Sequence, residues 1–253
     1  MLSGRGAAAV WLRNATVWRA HWKTSLVGSI GEPLLYVLGL GYGLGTVVPD
    51  IGGVPYLRFV APGLMLSSVM QSATIESTYM AFTKMQHQRV FASMLLAPLT
   101  LGDVLLGEIL WAATKGLICG GAVLALLLAA GVGEIWPGVL AVPLILLAGF
   151  IFASLGLVVA SIARGYDSFN YYFTLFIAPM FFFSGIFFPV RGLGDWAYGL
   201  SWAFPLTPLV AIARGLLTGA PAGSLLAPLG AAALFAAAAF AGALTLVRRR
   251  FMP

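Results

Sequence analysis

Six stretches of this 253-residue sequence are long and apolar enough to cross a bilayer, and they leave little chain for anything else. A span needs about 20 apolar residues to cross a hydrocarbon core of roughly 30 Å. The stretches are 28–48, 59–81, 104–130, 138–163, 169–189 and 225–247. Runs of this length without strict alternation exclude a transmembrane barrel, and helices satisfy their own backbone hydrogen bonds in lipid. Charged residues are 9% of the chain, against about 25% in an ordinary soluble domain. The expected fold is therefore an all-α polytopic membrane protein: a single domain, 1–253, of six transmembrane helices.

The few charges fix the orientation. Arg5, Arg13, Arg19 and Lys23 precede the first span, Lys84 and Arg89 lie between the second and third, Arg164 lies between the fourth and fifth, and Arg248, Arg249 and Arg250 follow the sixth. Only Arg58, Arg191 and Arg214 fall on the other side. Loops rich in Lys and Arg stay in the cytoplasm, so both termini are expected there. The net charge of +6 is thus a matter of topology and gives no reason to expect nucleic acid as a partner. Cys119, the lone cysteine, lies in a span and reads as a small buried side chain.

The connections carry more character than the spans. Residues 5–24 read as an amphipathic helix on the membrane surface, with Trp11, Trp18 and Trp22 on one face and Arg13, Arg19 and Lys23 reaching water or headgroups. Glu32-Pro33 opens the first span, which ends in alternate glycines at 39, 41, 43 and 45. Residues 83–98 are too short and too polar to span and read as a cytoplasmic amphipathic helix stopped near Pro98. Residues 195–217 are broken by Pro205 and Pro208 and read as two short helices that dip back into the outer leaflet before the last span.

The sequence contains no phosphate-binding loop, no zinc-type histidine pair and no nucleophile elbow. His21 and His87 both fall in cytoplasmic segments, and no carboxylates cluster outside, so an enzyme is not expected and neither is a metal site. Three ionisable residues sit within spans: Glu76, Glu108 and Lys115. Each costs a few kcal/mol unless partnered. Lys115 lies roughly 16 Å along the third span, at a depth Glu76 of the second can match, and Glu108 is on the same face about 10 Å away. A Glu76–Lys115 pair reads either as a device fixing helix register or as a station in a proton or ion relay. The shortage of further stations favours the first.

Leu101-Gly-Asp-Val-Leu-Leu-Gly-Glu-Ile-Leu-Trp-Ala-Ala-Thr-Lys115 resembles the permeases of nodulation-type lipo-oligosaccharide exporters, the nodulation protein J group of ABC-2 type transporter permeases. So do Met94-Leu-Leu-Ala-Pro98, Tyr166-Asp-Ser-Phe-Asn-Tyr-Tyr172 and Pro179-Met-Phe-Phe-Phe-Ser-Gly-Ile-Phe-Phe-Pro189. Pro205-Leu-Thr-Pro208 looks closer to drug exporters of the same family. The resemblance implies a homodimer in the bacterial inner membrane that binds two cytoplasmic ABC ATPase subunits. ATP and Mg would be held by those subunits and no cofactor by this chain. It implies that 83–98 docks on the ATPase through Lys84, Gln86, His87, Gln88, Arg89 and Phe91, and that cargo leaves past Tyr172, Phe183, Ser184 and Phe187. The cargo class is an amphipathic glycolipid or lipo-oligosaccharide, with a hydrophobic drug as second choice. A channel or scaffold without ATP coupling is the alternative from another class.

The orientation is directly testable. In a chain lacking Cys119, cysteines placed at Gly53 and Gly194 should react with an impermeant thiol reagent in intact cells, and cysteines at Gln88 and Arg249 should not. Labelling of Gln88 from outside would reverse the topology.

Overall fold

The computed structural model describes residues 4–20, 22–23, 31, 35–36, 38–39, 43–48, 50–132, 135–218 and 221–251. Ten of the 21 residues of the first expected span, Glu32 and Pro33 among them, lie outside them. Helix α1 is Gly4–Arg19. A two-residue hairpin, β1 (Asp50–Ile51) and β2 (Val54–Pro55), leads into α2, Tyr56–Ile75. Then come α3 (Val90–Leu95), α4 (Leu101–Ala129), α5 (Ile135–Ile162), α6 (Asp167–Tyr172), α7 (Ala178–Phe183), α8 (Asp195–Ser201), α9 (Leu206–Thr218) and α10 (Leu226–Phe251).

Among the described residues three helices are long and apolar enough to cross a membrane: Leu101–Ala129, Val139–Ile162 and Gly223–Phe251. The pair formed by Asp195–Ser201 and Leu206–Leu217 is bent by 96° across its break. The most apolar of these helices, α5, takes the centre and packs against α2, α4, α9 and α10. Helix α1 lies along α4.

Two boundaries differ from the sequence reading. The helix over the second expected span does not end at 81. Helix α2 continues through π turns at Glu76–Met80 and Thr83–His87. No glycine or proline lies between Gly63 and Pro98, so the loss of hydrophobicity near residue 83 does not end the helix. The break comes at Arg89, held at φ 50°, and only α3 remains as a separate helix of the 83–98 segment. The helix over the fifth expected span, 169–189, ends before 189. Helix α6, a π turn at Phe173–Ile177 and α7 form one rod that ends at Phe183. Gly185 then takes φ 76°, a conformation that an L side chain resists.

Helix α4 starts at a reciprocal cap. Thr100 Oγ1 accepts from the Asp103 amide at 3.2 Å, and Asp103 Oδ2 accepts from the Thr100 amide at 3.0 Å. Helix α5 ends at a cap made by another helix. Arg250 Nη1 donates to the carbonyls of Ala160 and Ser161 at 2.7 and 2.6 Å, occupying acceptors that the helix end leaves free. This contact fixes the last turn of α10 to the α5–α6 turn.

Buried apolar side chains form two clusters. One takes residues 56–73 of α2 and 123–127 of α4, with parts of α5, α7 and α9. The other takes 81–94 and 101–112, with the far half of α5 and the end of α10. Close backbone approach holds the layers together. A Cβ on Gly149 of α5 would stand 2.8 Å from Ala113 Cα of α4, the small-residue crossing expected where lipid removes the hydrophobic drive between helices.

Gly149→Ala should therefore lower stability by about 1–3 kcal/mol, since the obstacle is backbone. Gly121→Ala, on α4 with nothing within 4 Å of its would-be Cβ, should be neutral or gain up to ~1 kcal/mol. Thermal unfolding of both variants in the same detergent checks the contrast.

Candidate functional site

Between the two apolar clusters lies a band of ions. Glu108, Trp111 and Lys115 are spaced i, i+3, i+7 on α4 and share one stripe. Glu76 opens the first π turn after α2, and Lys84 lies in the second. Asn14 faces them from α1, where it is buried beside Gly6, Ala7 and Val10.

The contacts form a chain. Lys115 Nζ lies 3.0 Å from Glu76 Oε2. The other oxygen of Glu76 accepts from Trp111 Nε1 at 3.0 Å and stands 3.5 Å from Lys84 Nζ. Lys84 in turn reaches Glu108 Oε2 at 2.8 Å and Asn14 Oδ1 at 3.3 Å. Asn14 Nδ2 donates to Glu108 Oε1 at 2.9 Å, and Arg13 Nη1 donates to Asn14 Oδ1 at 3.1 Å. Two acids and two lysines thus balance, and every carboxylate oxygen among them has a donor. Glu108 is nearly sealed, with 3% of its side chain exposed, while Lys84 and Lys115 keep 15% and 18%. Three helices meet in this network, and it fixes their relative register.

A cavity of about 400 Å³ adjoins it, lined by Arg13, Trp18, Glu76, Lys84, Trp111 and Lys115 among others. Polar ions on one wall and Val17, Ile75 and Met80 on the rest make it amphipathic. Trp18 of α1 lines it, and Trp11 packs beside it. Trp11 and Trp18 pack edge-on against Trp111 at 6.4 and 6.0 Å, and Trp11 Nε1 donates to Thr114 Oγ1 at 3.0 Å. Trp22 alone of the three is strongly exposed, at 45%.

The expected site residues separate into groups. Glu76, Glu108 and Lys115 fall in the network, but Glu108 is bound to Lys84 and not to Lys115. Lys84 is correspondingly turned inward, toward Glu108 and Asn14. Phe91 is also interior, its ring stacked on Phe251 at 5.9 Å. His87, Gln88 and Arg89 are exposed. The Gln86 amide, with its oxygen turned toward α10, accepts from Arg250. His87 stacks on Tyr166 at 5.6 Å with planes 4° apart, and Thr83 Oγ1 and the Tyr166 hydroxyl share a 2.8 Å hydrogen bond. The segment after α2 is thereby joined to the turn before α6. At the other end Phe183 is half exposed, Ser184 is buried and Phe187 packs on Phe181 at 5.0 Å. Tyr172 lies three turns away on the same rod, stacked on Phe176.

Asn14, Trp111 and the inward role of Lys84 escaped the sequence reading. The i, i+3, i+7 spacing from Glu108 to Lys115 was available as a signal for Trp111. Nothing in the sequence marked Asn14, because its partners are 94 and 70 residues away.

A helical membrane protein whose N-terminal helix, the helix continuing α2, and α4 are joined by buried ions is the class these features define. Residues 7–218 match the ABC-2 type transporter family. Nodulation protein J of Sinorhizobium fredii (strain NBRC 101917 / NGR234) is 40% identical over 245 residues, covering 96% of this chain and 93% of that protein. The protein of the same name from Rhizobium leguminosarum bv. trifolii is 39% identical over 245 residues, covering 96% and 93%. That from Rhizobium meliloti (strain 1021) is 37% identical over 246 residues, covering 97% and 94%. The chain belongs to the ABC-2 type transporter family, and it is a membrane protein.

Removing one partner of a buried pair costs about 3–5 kcal/mol, less where water reaches the stranded group. The geometry ranks the variants. Lys115→Met should be mildest, since Glu76 keeps Lys84 and the Trp111 indole. Glu76→Gln should cost more, because it strands Lys115. Glu76→Gln/Lys115→Met should recover most of that loss, and Glu76→Gln/Glu108→Gln, with two lysines and no acid, should be worst. The yield of folded protein and its unfolding temperature check the order.

Proposed function

We propose that this chain is the membrane-spanning permease subunit of an ATP-binding-cassette exporter. It works as a homodimer in the bacterial inner membrane, with six spans per copy, both termini cytoplasmic, and two separate ATPase subunits docked beneath. The cargo is an amphipathic glycolipid or lipo-oligosaccharide, taken from the cytoplasm or inner leaflet. One conjunction carries the reading: the chain matches an ABC transporter family over most of its length, yet none of its lysines follows a glycine, as a phosphate-binding loop requires. ATP must then be handled by another chain. The similarity to nodulation protein J along nearly the whole length supports the cargo class.

Residues 86–98 give the ATPase a surface. Gln88, Arg89, Ala92 and Ser93 are exposed there, and Leu96 projects with 91% of its surface free. A large apolar side chain left in water at a loop tip suits insertion into a partner's groove. The push of ATPase closure would pass two ways. The His87–Tyr166 stack leads to the α6–α7 rod, and the ion network leads to α1 and α4. Helix α1, the docking loop and α4 then move as one body. A transport cycle needs such a two-state element, biased by ATP.

Purification in mild detergent should recover a stoichiometric ATPase with the chain, and recovery of the chain without one would sink the reading. Leu96→Asp and Ser93→Pro should leave insertion normal while ATP hydrolysis by the complex loses its dependence on the permease. Ser93 donates its amide to the Arg89 carbonyl at 3.1 Å, and proline there removes that bond and the helix start.

A further inference from the structure

At the end opposite the ion network, the bend after α7 and the two helices α8 and α9 enclose a second cavity, of about 200 Å³. Its chemistry differs from everything around it. Ser184, Arg191, Tyr198, Ser201, Thr207 and Arg214 bring their side chains to its lining. Ser201 and Thr207 are satisfied locally: Ser201 Oγ donates to the Tyr198 carbonyl at 2.8 Å, and Thr207 Oγ1 to the Ser201 carbonyl at 2.6 Å. Arg214 shapes the wall, its Nη2 donating to the carbonyls of Gly185 at 2.7 Å and Phe59 at 3.1 Å, with its guanidinium 3.8 Å from the centre of the Phe59 ring. Arg191 lies over the Tyr198 ring at 4.5 Å and donates to its hydroxyl at 3.3 Å.

Ser184 is the exception. It is 2% exposed, yet its hydroxyl finds no hydrogen-bond partner among the described residues. An unmet buried hydroxyl costs about 1–3 kcal/mol. The residue belongs to the lining of a cavity that two arginines also line, and a turn about χ1 would present the hydroxyl to it, where a group able to accept from a hydroxyl and from guanidinium N–H would satisfy the site. The opposite face of α8 and its approach carries Leu193, Trp196 and Leu200, with 46%, 73% and 58% of their surfaces exposed. Trp196 and Leu200 are spaced i, i+4 on α8 and Leu193 lies just before it, an exposed apolar group with a tryptophan, the composition that anchors a helix at a membrane interface.

We propose that this cavity binds a phosphate ester, with Ser184 and Arg191 as its direct donors and Arg214 supplying charge from the wall. A phosphate offers several acceptor oxygens to donors arranged in a fork and carries the matching charge. Two sources share this chemistry, the headgroup of a phospholipid in the surrounding leaflet and free phosphate. The site follows from the cavity and its residues and is independent of the ATPase assignment.

The purified, delipidated chain would be titrated with phosphatidylglycerol, with diacylglycerol of the same acyl chains and with inorganic phosphate, binding being read by native mass spectrometry. Phosphatidylglycerol should bind at least about ten-fold more tightly than diacylglycerol, and Ser184→Ala and Arg191→Gln should each weaken it by about ten-fold. With no lipid present Arg191→Gln should unfold at the parent temperature and Ser184→Ala at or above it, since the unmet hydroxyl is gone, which separates lost binding from lost folding. Inorganic phosphate binding as tightly as the lipid, with the same loss in both variants, would support the site and name the free anion as its source. Equal affinity for phosphatidylglycerol and diacylglycerol, or full binding in both variants, would overturn the proposal.

Discussion

The salt bridge between Lys84 and Glu108, 2.8 Å long and buried on the Glu108 side, is the contact on which the packing of α1, α4 and the helix continuing α2 depends. Ions at this depth are tolerated only with partners, and the partners come from three separate segments of chain. Glu76 and Lys84 share the long helix after the hairpin. Glu108, Trp111 and Lys115 share α4, and Asn14 belongs to α1. A slide of any of these by one turn would leave a buried charge without its counter-ion. Apolar packing alone tolerates such slides in lipid, since one aliphatic surface is much like another. The network therefore supplies specificity where hydrophobic burial cannot.

The same reasoning explains why small residues cluster beside it. Gly107 lets α1 approach so closely that a Cβ there would stand 2.7 Å from the Ala7 carbonyl oxygen. That approach brings Asn14 within reach of Glu108. The aromatic cluster of Tyr79, Phe82, His87, Tyr166 and Phe169 then joins the long helix to the rod formed by α6 and α7. Arg250 closes the arrangement by fixing the end of α10 to the end of α5. Among the described residues, the connections 83–98 and 163–166 at this end are each tied to a helix other than their own neighbours. The proposed transmission of force from a docked ATPase follows from that property.

Much of the fold was legible because length and hydropathy are local quantities. Helices α4, α5 and α10 lie where long apolar runs predicted them, and the broken pair at α8 and α9 lies where Pro205 interrupts. The ends were less legible. Polarity at Thr83 suggested the end of a helix, but a backbone without glycine or proline carries on to Arg89. Phe187 and Phe188 looked like a continuation of span five, but Gly185 turns the chain first. Of the ion network, its depth and its three intramembrane members were readable from charge in apolar surroundings. Lys84 was not, because the sequence places it at the membrane surface, and only the extra length of the helix folds it back toward Glu108. Asn14 depended wholly on tertiary approach.

The central claim is that α1, the docking loop and α4 form one body that the ATPase moves as a unit. Spin labels at Val17 and Leu96, both exposed, measure it by pulsed electron resonance on the reconstituted complex. Within one copy the Val17–Leu96 distance should be the same with and without ATP, while the Leu96–Leu96 distance between copies shortens. An intra-copy distance that changes as much as the distance between copies would contradict the account, since the network would then not hold the three elements together.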